Sequence, residues 1–377
     1  MVALKEGCVE SCPGCSHRFM SMQQSLAQKE EWIKKQLKAW DDRVESISSV
    51  EAPGRWGYRR KVLLRAEFNN NSWNFGMIRR DEFIAIPDCP VHAEVTRKLI
   101  RLLISSLPPA SAFPLAYLFQ SDALVTLVLK TKQLPQAGWL TKDFILSLQS
   151  IGIRGLSLHL NPSAGRRMFA KGGWHLLWGD DHARNNEGLI YGMTSFSQLI
   201  YRLHRQSLDE AERFIDPRNG DCVVDLYSGI GSSLVRWMNR RAFTIGIETG
   251  GEAVDCAQSN APEAMVLRGT CRQRLPQLQQ WIETWHQPER RNLLYANPPR
   301  TGIEPEVLQW ITDHYKPSRM AYLSCSAGTL RRDLDLLASG GFEIKRILPY
   351  DFFPQTRHVE CLVLISQTKT PVHMGGG

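Results

Sequence analysis

A cysteine and a glutamate in the last sixth of the chain are the residues whose types and positions suggest covalent chemistry. Cys325 lies at the end of an apolar run, within residues 322–330 (Tyr-Leu-Ser-Cys-Ser-Ala-Gly-Thr-Leu). Glu360 lies at the start of another apolar run, in residues 360–365 (Glu-Cys-Leu-Val-Leu-Ile). A thiol nucleophile and a carboxylate base at the ends of two strands can converge on one substrate atom. A free cysteine is also among the most commonly buried residue types, so inert packing is the alternative for Cys325.

Residues 221–234 (Asp-Cys-Val-Val-Asp-Leu-Tyr-Ser-Gly-Ile-Gly-Ser-Ser-Leu) indicate a ligand-binding turn. A short apolar strand ends at Asp225, and Gly229 and Gly231 form a Gly-x-Gly turn that lets the backbone approach a ligand closely. The next apolar strand ends at Glu248, where a carboxylate would accept hydrogen bonds from ribose hydroxyls. The turn matches neither the dinucleotide fingerprint nor the phosphate loop. S-adenosylmethionine, which has no phosphate, fits better, and a plain strand-to-helix turn is the alternative.

A third apolar strand ends in a polar motif at residues 293–303 (Leu-Leu-Tyr-Ala-Asn-Pro-Pro-Arg-Thr-Gly-Ile). Substrates of open α/β sheets bind at the carboxyl edge of the strands, so we expect Asn297 to point toward a ligand there. Asn-Pro-Pro also occurs in enzymes that methylate exocyclic amines, where an aromatic residue follows and stacks on the base. Here Arg300 follows, which counts against that class.

Together these motifs resemble those of the RNA uracil-5-methyltransferases. The C-terminal domains of that family carry Asp-Leu-Tyr-Cys-Gly-x-Gly, [Asp/Asn]-Pro-Pro-Arg-x-Gly, Ser-Cys-Asn and Phe-Pro-x-Thr-x-His-x-Glu, and the match keeps order and spacing over about residues 190–365. The resemblance implies that Cys325 adds to C6 of uracil and that Glu360 removes the C5 proton. It further implies that S-adenosyl-L-methionine is bound by Gln198, Asp225, Tyr227, Gly229, Gly231, Glu248 and Asn297, the last of which also faces the base.

The chain departs from the family pattern at several positions. Ser228 replaces the Cys of Asp-Leu-Tyr-Cys, and Ile200 stands where relatives carry a polar side chain. Thr270 replaces an acidic residue that could meet the adenine amine, and Ser326 replaces an asparagine. These changes could weaken cofactor affinity, but we expect a working enzyme because the nucleophile, the base and both glycines persist.

Four cysteines near the start of the chain suggest a metal site. Cys8, Cys12 and Cys15 lie within eight residues, and Cys89 follows in residues 86–92. No apolar signal segment precedes them, so thiols of a cytosolic protein are expected to bind metal rather than form disulfides. Their arrangement suits a [4Fe-4S] cubane with one ligand per iron and resembles the site of one branch of the family. Zinc usually shows two matched Cys-x2-Cys halves and stays the alternative. A structural role is expected, because methylation needs no electron.

Charge and composition favour an RNA partner. The net charge is +8 and the pI about 9.0, which suits a polyanion. Residues 55–61 (Arg-Trp-Gly-Tyr-Arg-Arg-Lys) interleave aromatic and cationic side chains, followed by Arg79 and Arg80. Such a mixture can stack on unpaired bases, a solvated strand face being the alternative. No apolar stretch approaches transmembrane length. We expect a cytoplasmic monomer without membrane contact.

The predicted strands and helices that must position these residues indicate an α/β fold in three parts. An N-terminal arm (1–50) carries three cluster cysteines and a helix near 21–40. A smaller α+β RNA-binding domain (51–185) has strands at 60–67, 115–119, 123–129 and 155–160 and helices at 92–107 and 140–151. A doubly wound, Rossmann-like methyltransferase domain (186–377) follows, since strands and helices alternate there. We expect no room for the N-terminal β-barrel of some relatives.

Three functions follow from these observations. The leading hypothesis is methylation of C5 of a uridine in 23S rRNA, because the missing barrel and the Asn-Pro-Pro-Arg form resemble the shorter ribosomal branch. The second keeps this chemistry and moves it to a tRNA loop. The third is a catalytically silent iron–sulfur protein that binds RNA.

Overall fold

A computed structural model describes residues 2–165, 168–196 and 198–368. These residues form two compact units. The first contains residues 2–25, Val50–Leu199 and Pro354–Arg357, and the second contains Leu26–Ser49, Ile200–Phe353 and 358–368. The helices are α1 (Met22–Gln36), α2 (Glu94–Ser106), α3 (Lys142–Ser150), α4 (Tyr201–Ile215), α5 (Leu234–Asn239), α6 (Gly251–Asn260), α7 (Cys271–Trp285), α8 (Pro305–Trp310) and α9 (Ala327–Ser339).

The first unit is built on one sheet with the strand order β3-β2-β1-β4-β5-β6-β7. Its strands are β1 (Lys61–Asn69), β2 (Ser72–Arg79), β3 (Glu82–Ala85), β4 (Leu115–Ser121), β5 (Leu124–Leu129), β6 (Gly155–Leu160) and β7 (Trp174–Gly179). Neighbouring strands are antiparallel except β5 and β6, which α3 connects as a parallel crossover. A separate hairpin pairs β8 (His182–Arg184) with β9 (Ile190–Gly192). The hydrophobic core includes Leu99 and Leu103 of α2 and Leu148 of α3.

The second unit is built on a sheet with the strand order β12-β11-β10-β13-β14-β16-β15. Its strands are β10 (Cys222–Leu226), β11 (Phe243–Glu248), β12 (Met265–Arg268), β13 (Asn292–Ala296), β14 (Arg319–Ser324), β15 (Phe342–Tyr350) and β16 (Glu360–Gln367). Strands β10 to β14 are parallel. They are short, apolar and largely buried, as the central strands of an open α/β sheet must be.

The strands of a doubly wound sheet are mostly parallel, and β16 departs from this pattern because it runs antiparallel to both β14 and β15. The physical reason is the connection. Residues 351–359 join β15 to β16 without a crossover helix, and a loop of this kind returns the chain in the opposite direction. The strands predicted in the first unit are confirmed to within a residue or two at each end, as are both of its helices. The helix predicted near 21–40 ends at Gln36 and is followed by a 3-10 turn.

The two units divide the chain differently from the predicted ranges 1–50, 51–185 and 186–377. The predicted arm is divided after residue 25, because Ile33 and Leu37 are fully buried in the core of the second unit. Residues 186–199 lie in the first unit, where the Tyr191 hydroxyl accepts a hydrogen bond from the backbone N–H of Ala123 at 3.1 Å.

Candidate active site

Cys325 and Glu360 lie at the same edge of the second sheet because β14 and β16 are antiparallel. Ser324, the last residue of β14, pairs with Cys361 of β16. Cys325 follows Ser324 and Glu360 precedes Cys361, so the antiparallel register brings Cys325 and Glu360 opposite each other. Glu360 is 3% exposed, whereas Cys325 is partly exposed and open to a substrate. In a wholly parallel sheet the end of one strand and the start of another would lie at opposite edges. The direction of β16 therefore brings the predicted nucleophile and base together.

Burial and two neighbouring charges shift the pKa of the Cys325 thiol. Burial raises the pKa of the Cys325 thiol, the Glu360 carboxylate raises it further, and the Arg300 guanidinium lowers it. A thiol of this kind is mostly protonated at rest and becomes reactive when a base accepts its proton. Cys361, the adjacent cysteine, is fully buried, and burial raises its pKa as well. Only Cys325 of this pair is exposed to a reaction partner.

The loop after β13 places Asn297 and Arg300 at this edge. The Asn297 backbone N–H donates to the Leu226 carbonyl at 3.2 Å, which holds Asn297 beside the end of β10. The Thr329 hydroxyl, on α9, donates to the Arg300 carbonyl at 3.1 Å. Asn297 is partly exposed and Arg300 exposed. The structure therefore places the predicted base-facing amide on the same edge as the thiol.

A buried aspartate that sequence reasoning missed fixes this loop. Asp333 of α9 is 0% exposed and accepts hydrogen bonds from the Tyr322 hydroxyl at 2.6 Å and the Ile303 backbone N–H at 3.0 Å. A Cβ atom on Gly302 would lie 2.5 Å from the Asp333 carboxylate, and Gly302 has φ +77°, so only glycine fits. The signal that could have identified Asp333 is an acidic residue among apolar positions of α9.

The Gly-x-Gly turn and Glu248 form one hydrogen-bonded unit. The Gly229 backbone N–H donates to Oε2 of Glu248 at 3.1 Å, and the Gly250 N–H donates to Oε1 at 2.8 Å. Gly231 has φ +85°, and a Cβ atom there would lie 3.2 Å from Cα of Ala257 in α6. Oε1 also accepts from the Thr249 backbone N–H at 2.7 Å and from the Thr249 hydroxyl at 3.1 Å. Glu248 is partly exposed, so Oε2 is the oxygen with acceptor capacity for a ribose hydroxyl.

Asp225 and Tyr227, both predicted to bind the cofactor, also make hydrogen bonds inside the fold. Asp225 is 0% exposed and accepts a hydrogen bond from Nε1 of Trp237 at 2.7 Å, and burial raises its pKa to about 7. Tyr227 adopts the left-handed region with φ +62°, and its hydroxyl donates to the Glu304 carboxylate.

The departures from the family pattern have local roles. The Thr270 hydroxyl accepts from the Gln273 backbone N–H at 3.2 Å, and Oε1 of Gln273 accepts from the Thr270 N–H, which forms a capping box on α7. Ile200 is buried and precedes α4, and Ser326 precedes α9. Gln198 is also buried and belongs to the first unit, so its contact with a cofactor stays a prediction.

In the first unit, the predicted cluster cysteines meet at one cavity. Cys8, Cys12, Cys15 and Cys89 line it together with Trp56 and other side chains. Burial raises the pKa of Cys15 to about 12, with further contributions from the other three thiols. Within residues 2–165, 168–196 and 198–368, no three His, Cys, Asp or Glu side chains are grouped to hold a metal ion.

The basic and aromatic segment at residues 55–61 is only partly exposed, with Arg60 exposed and Trp56 and Arg59 partly buried. Arg55 and Tyr58 are buried, and the Tyr58 hydroxyl donates to the Pro354 carbonyl at 3.0 Å. Lys61 donates to the Ser195 carbonyl at 2.5 Å, and Arg60 pairs with Asp122 at 3.1 Å. Internal contacts therefore take up most of these side chains. In the part of the chain that the structure describes, no helix is both long and apolar enough to cross a membrane.

Comparison with known proteins gives one family and several relatives. The family model described as tRNA (Uracil-5-)-methyltransferase matches residues 289–368, which include Asn297, Cys325 and Glu360. An uncharacterized RNA methyltransferase of Protochlamydia amoebophila is 28% identical over 93% of this chain and 80% of its own length. The 23S rRNA (uracil(1939)-C(5))-methyltransferase RlmD of Shewanella frigidimarina is 27% identical over 94% of this chain and 80% of its own.

A solved structure shares the fold. The Pyrococcus abyssi tRNA (uracil-54, C5)-methyltransferase, in complex with S-adenosyl-L-homocysteine, aligns with a TM-score of 0.68 and 19% identity. The alignment covers 94% of this chain and 86% of the other. The predicted α/β fold with a Rossmann-like sheet is thereby confirmed.

Proposed function

We propose that this chain, whose predicted resemblance to the RNA uracil-5-methyltransferases is confirmed by the family match and the relatives, methylates C5 of a uridine in 23S rRNA. The observation that carries the proposal is the meeting of Cys325 and Glu360 across β14 and β16. A partly exposed thiol beside a buried carboxylate can carry both the nucleophilic step and the proton transfer that this reaction needs.

The reaction begins at Cys325. Uracil C5 is a poor nucleophile, but addition of the Cys325 thiolate to C6 forms a C–S bond and moves electron density to C5 as an enolate. S-adenosylmethionine supplies an electrophilic methyl group on a sulfonium, and C5 takes it, leaving S-adenosylhomocysteine. Glu360 then removes the proton from C5, the C–S bond breaks, and 5-methyluridine leaves.

Other residues at this edge of the second sheet would bind and orient the uracil and the cofactor. Asn297 can accept a hydrogen bond from N3–H of uracil and donate one to O4. Arg300 lowers the pKa of Cys325 and so favours the thiolate before attack. Gly229, Gly231 and Glu248 would bind the ribose of S-adenosylmethionine, and Gln198 stays a predicted cofactor contact. The uridine must leave its stack to reach the edge, so a flipped base is expected.

The [4Fe-4S] cluster belongs to the proposal as a structural element. Cys8, Cys12, Cys15 and Cys89 line one cavity, and a cubane takes one thiol per iron, so these four thiols supply the number of ligands that a cluster needs. A zinc ion is the alternative occupant. Bound there, the cluster would join the N-terminal segment to the loop before α2.

The RNA target rests on one comparison. The relative from Shewanella frigidimarina acts, by its name, on 23S rRNA and matches this chain almost throughout. The Pyrococcus abyssi structure is a tRNA enzyme, but at 19% identity it shows the fold alone. A tRNA loop is accordingly the second candidate substrate.

Mapping 5-methyluridine in total RNA from a strain that lacks this protein tests the proposal. A site missing from 23S rRNA, restored by the wild-type chain but not by Cys325→Ala, is the expected result. A site missing from tRNA would select the second candidate. No missing site would favour the catalytically silent RNA-binding protein.

A further inference from the structure

A fully buried ion pair lies next to the proposed general base. Lys29 of α1 and Asp351, which follows β15, are 1% and 0% exposed and form an ion pair through Nζ and Oδ1. Nζ of Lys29 also donates to the Phe353 carbonyl at 3.2 Å. Oδ2 of Asp351 accepts from the Ser49 hydroxyl at 3.1 Å, and the Asp351 backbone N–H donates to the Ser48 carbonyl at 2.8 Å.

Burial of two charges needs a reason beyond stability. Desolvation offsets much or all of their attraction, so an apolar pair would hold α1 against the sheet about as well. An apolar pair, however, would not fix the direction of a backbone carbonyl or the position of a chain end. Lys29 does both, since its ammonium binds the Asp351 side chain and the Phe353 carbonyl at once.

The position of this pair relative to Glu360 is defined by the strand register. Tyr350, the last residue of β15, pairs directly with Glu360, and Asp351 follows Tyr350. Tyr350 is fully buried and stacks on Phe352 with ring centroids 5.6 Å apart. After Phe353 the chain leaves the second unit for residues 354–357 and then returns to open β16. Lys29 therefore holds the chain directly after β15, at the start of the loop that ends in Glu360. Further along this loop, the Pro354 carbonyl accepts from the Tyr58 hydroxyl and the Gln355 carbonyl accepts from the His17 N–H.

We propose that Lys29 is a positioning residue for proton abstraction: through Asp351 and Phe353 it fixes the end of β15 and thereby the carboxylate of Glu360 at the edge that carries Cys325. This inference rests on the proposed function. A general base must be within hydrogen-bond reach of its proton, and a displacement of about 1 Å can cost roughly 100-fold in rate. The thiol addition, which Cys325 performs from β14, depends less on this fixed point.

The test separates the two halves of the reaction in the full-length protein. Single-turnover methylation of unmodified RNA would be followed in wild type and in Lys29→Met, scoring methyl transfer and then release of methylated RNA from the denaturation-resistant complex. We expect release to slow about 10- to 100-fold while methyl transfer stays within about threefold. Lys29→Arg, which keeps the charge, should restore much of the release rate.

A matched control excludes a general loss of stability. Asp221→Asn breaks the ion pair of Asp221 with Arg291 at the opposite, amino end of β10, where the two groups are 2.5 Å apart. It should lower the unfolding temperature without changing the ratio of transfer to release. Should Lys29→Met fail to fold, Asp351→Asn keeps the shape of the site, removes one charge and should give the same slow release.

The outcomes are distinct. Equal slowing of both steps, or normal release in both Lys29→Met and Asp351→Asn, would overturn the role of Lys29 and leave the proposed function intact. A wild-type protein that forms no covalent complex with 5-fluorouridine RNA would overturn the proposed function itself.

Discussion

The cavity of the first unit and the reaction edge of the second use the same side chain, cysteine, in different electrostatic settings. The thiols of Cys15 and Cys89 have other thiols among the groups that raise their pKa. Cys325 has a carboxylate, Glu360, that raises its pKa and a guanidinium, Arg300, that lowers it. Several thiols that line one cavity need a cation to become thiolates together, whereas a thiol beside a base and a cation can exchange its proton alone.

This difference fits the two proposed roles. Cysteines that line one cavity suit a metal cluster, which would neutralise their negative charge and hold distant segments together. A single cysteine between a carboxylate and a guanidinium suits a nucleophile whose proton must move during each turnover. Both roles use a cysteine, so the residue type does not indicate which role a given cysteine has. The groups that surround its thiol do.

The largest effect is expected at the reaction edge. Cys325→Ala removes the nucleophile and should lower methylation of RNA by about four orders of magnitude or more, with RNA binding retained. Incorporation of labelled methyl groups measures the rate. Cys361→Ala is the matched control, because this cysteine is adjacent but fully buried. Equal loss of activity in both variants would contradict the assignment of Cys325.

The cluster cysteines should behave differently. Protein purified without oxygen should be brown and contain about four irons per chain, and Cys12→Ser or Cys89→Ser should bleach it. Loss of the cluster should cost on the order of several kcal/mol of folding free energy and weaken RNA binding. Affinity for S-adenosylmethionine should change little, because Gly229, Gly231 and Glu248 lie in the second unit. Iron and zinc analysis measures the metal content, and calorimetry measures the binding of RNA and of S-adenosylmethionine. A colourless, active protein with one zinc would refute the cluster.

A smaller effect concerns the pH dependence of Cys325 reactivity. Only the thiolate is alkylated, and the negative charge of Glu360 raises the pKa of Cys325. Glu360→Gln removes that charge, so the pKa falls and alkylation should begin at lower pH. Arg300→Ala removes a positive charge, so the pKa rises and alkylation should begin at higher pH. Iodoacetamide labelling, read for the Cys325 peptide by mass spectrometry, measures both. Unchanged pH profiles of alkylation in both variants would show that neither charge influences the Cys325 thiol.

Much of the fold could be predicted because its signals are local. Strands and helices of the first unit follow from apolar periodicity, and the strands β10, β11 and β13 follow from short apolar runs that end in Asp225, Glu248 and Asn297. The direction of β16 could not be predicted, because an apolar run has the same composition in either direction. That direction is what places Glu360 beside Cys325.

The details of the site depended on contacts far apart in sequence. Asp225 is predicted to bind the cofactor, and its Oδ2 also accepts a hydrogen bond from Trp237 inside the fold, which no local pattern indicates. Thr270 stands where relatives carry an acidic residue, and its hydroxyl caps α7. Lys29 and Asp351 are separated by most of the chain, and neither has a local pattern that marks it.

The most direct test of the central claim is the fate of unmodified RNA in Glu360→Gln. If Cys325 attacks C6 and Glu360 removes the C5 proton, this variant should transfer the methyl group and then stall as a covalent complex that survives denaturation. Intact-mass analysis should find methylated RNA attached to the protein, and peptide mapping should locate the bond at Cys325. Normal turnover in Glu360→Gln, or a bond at any other cysteine, would contradict the account.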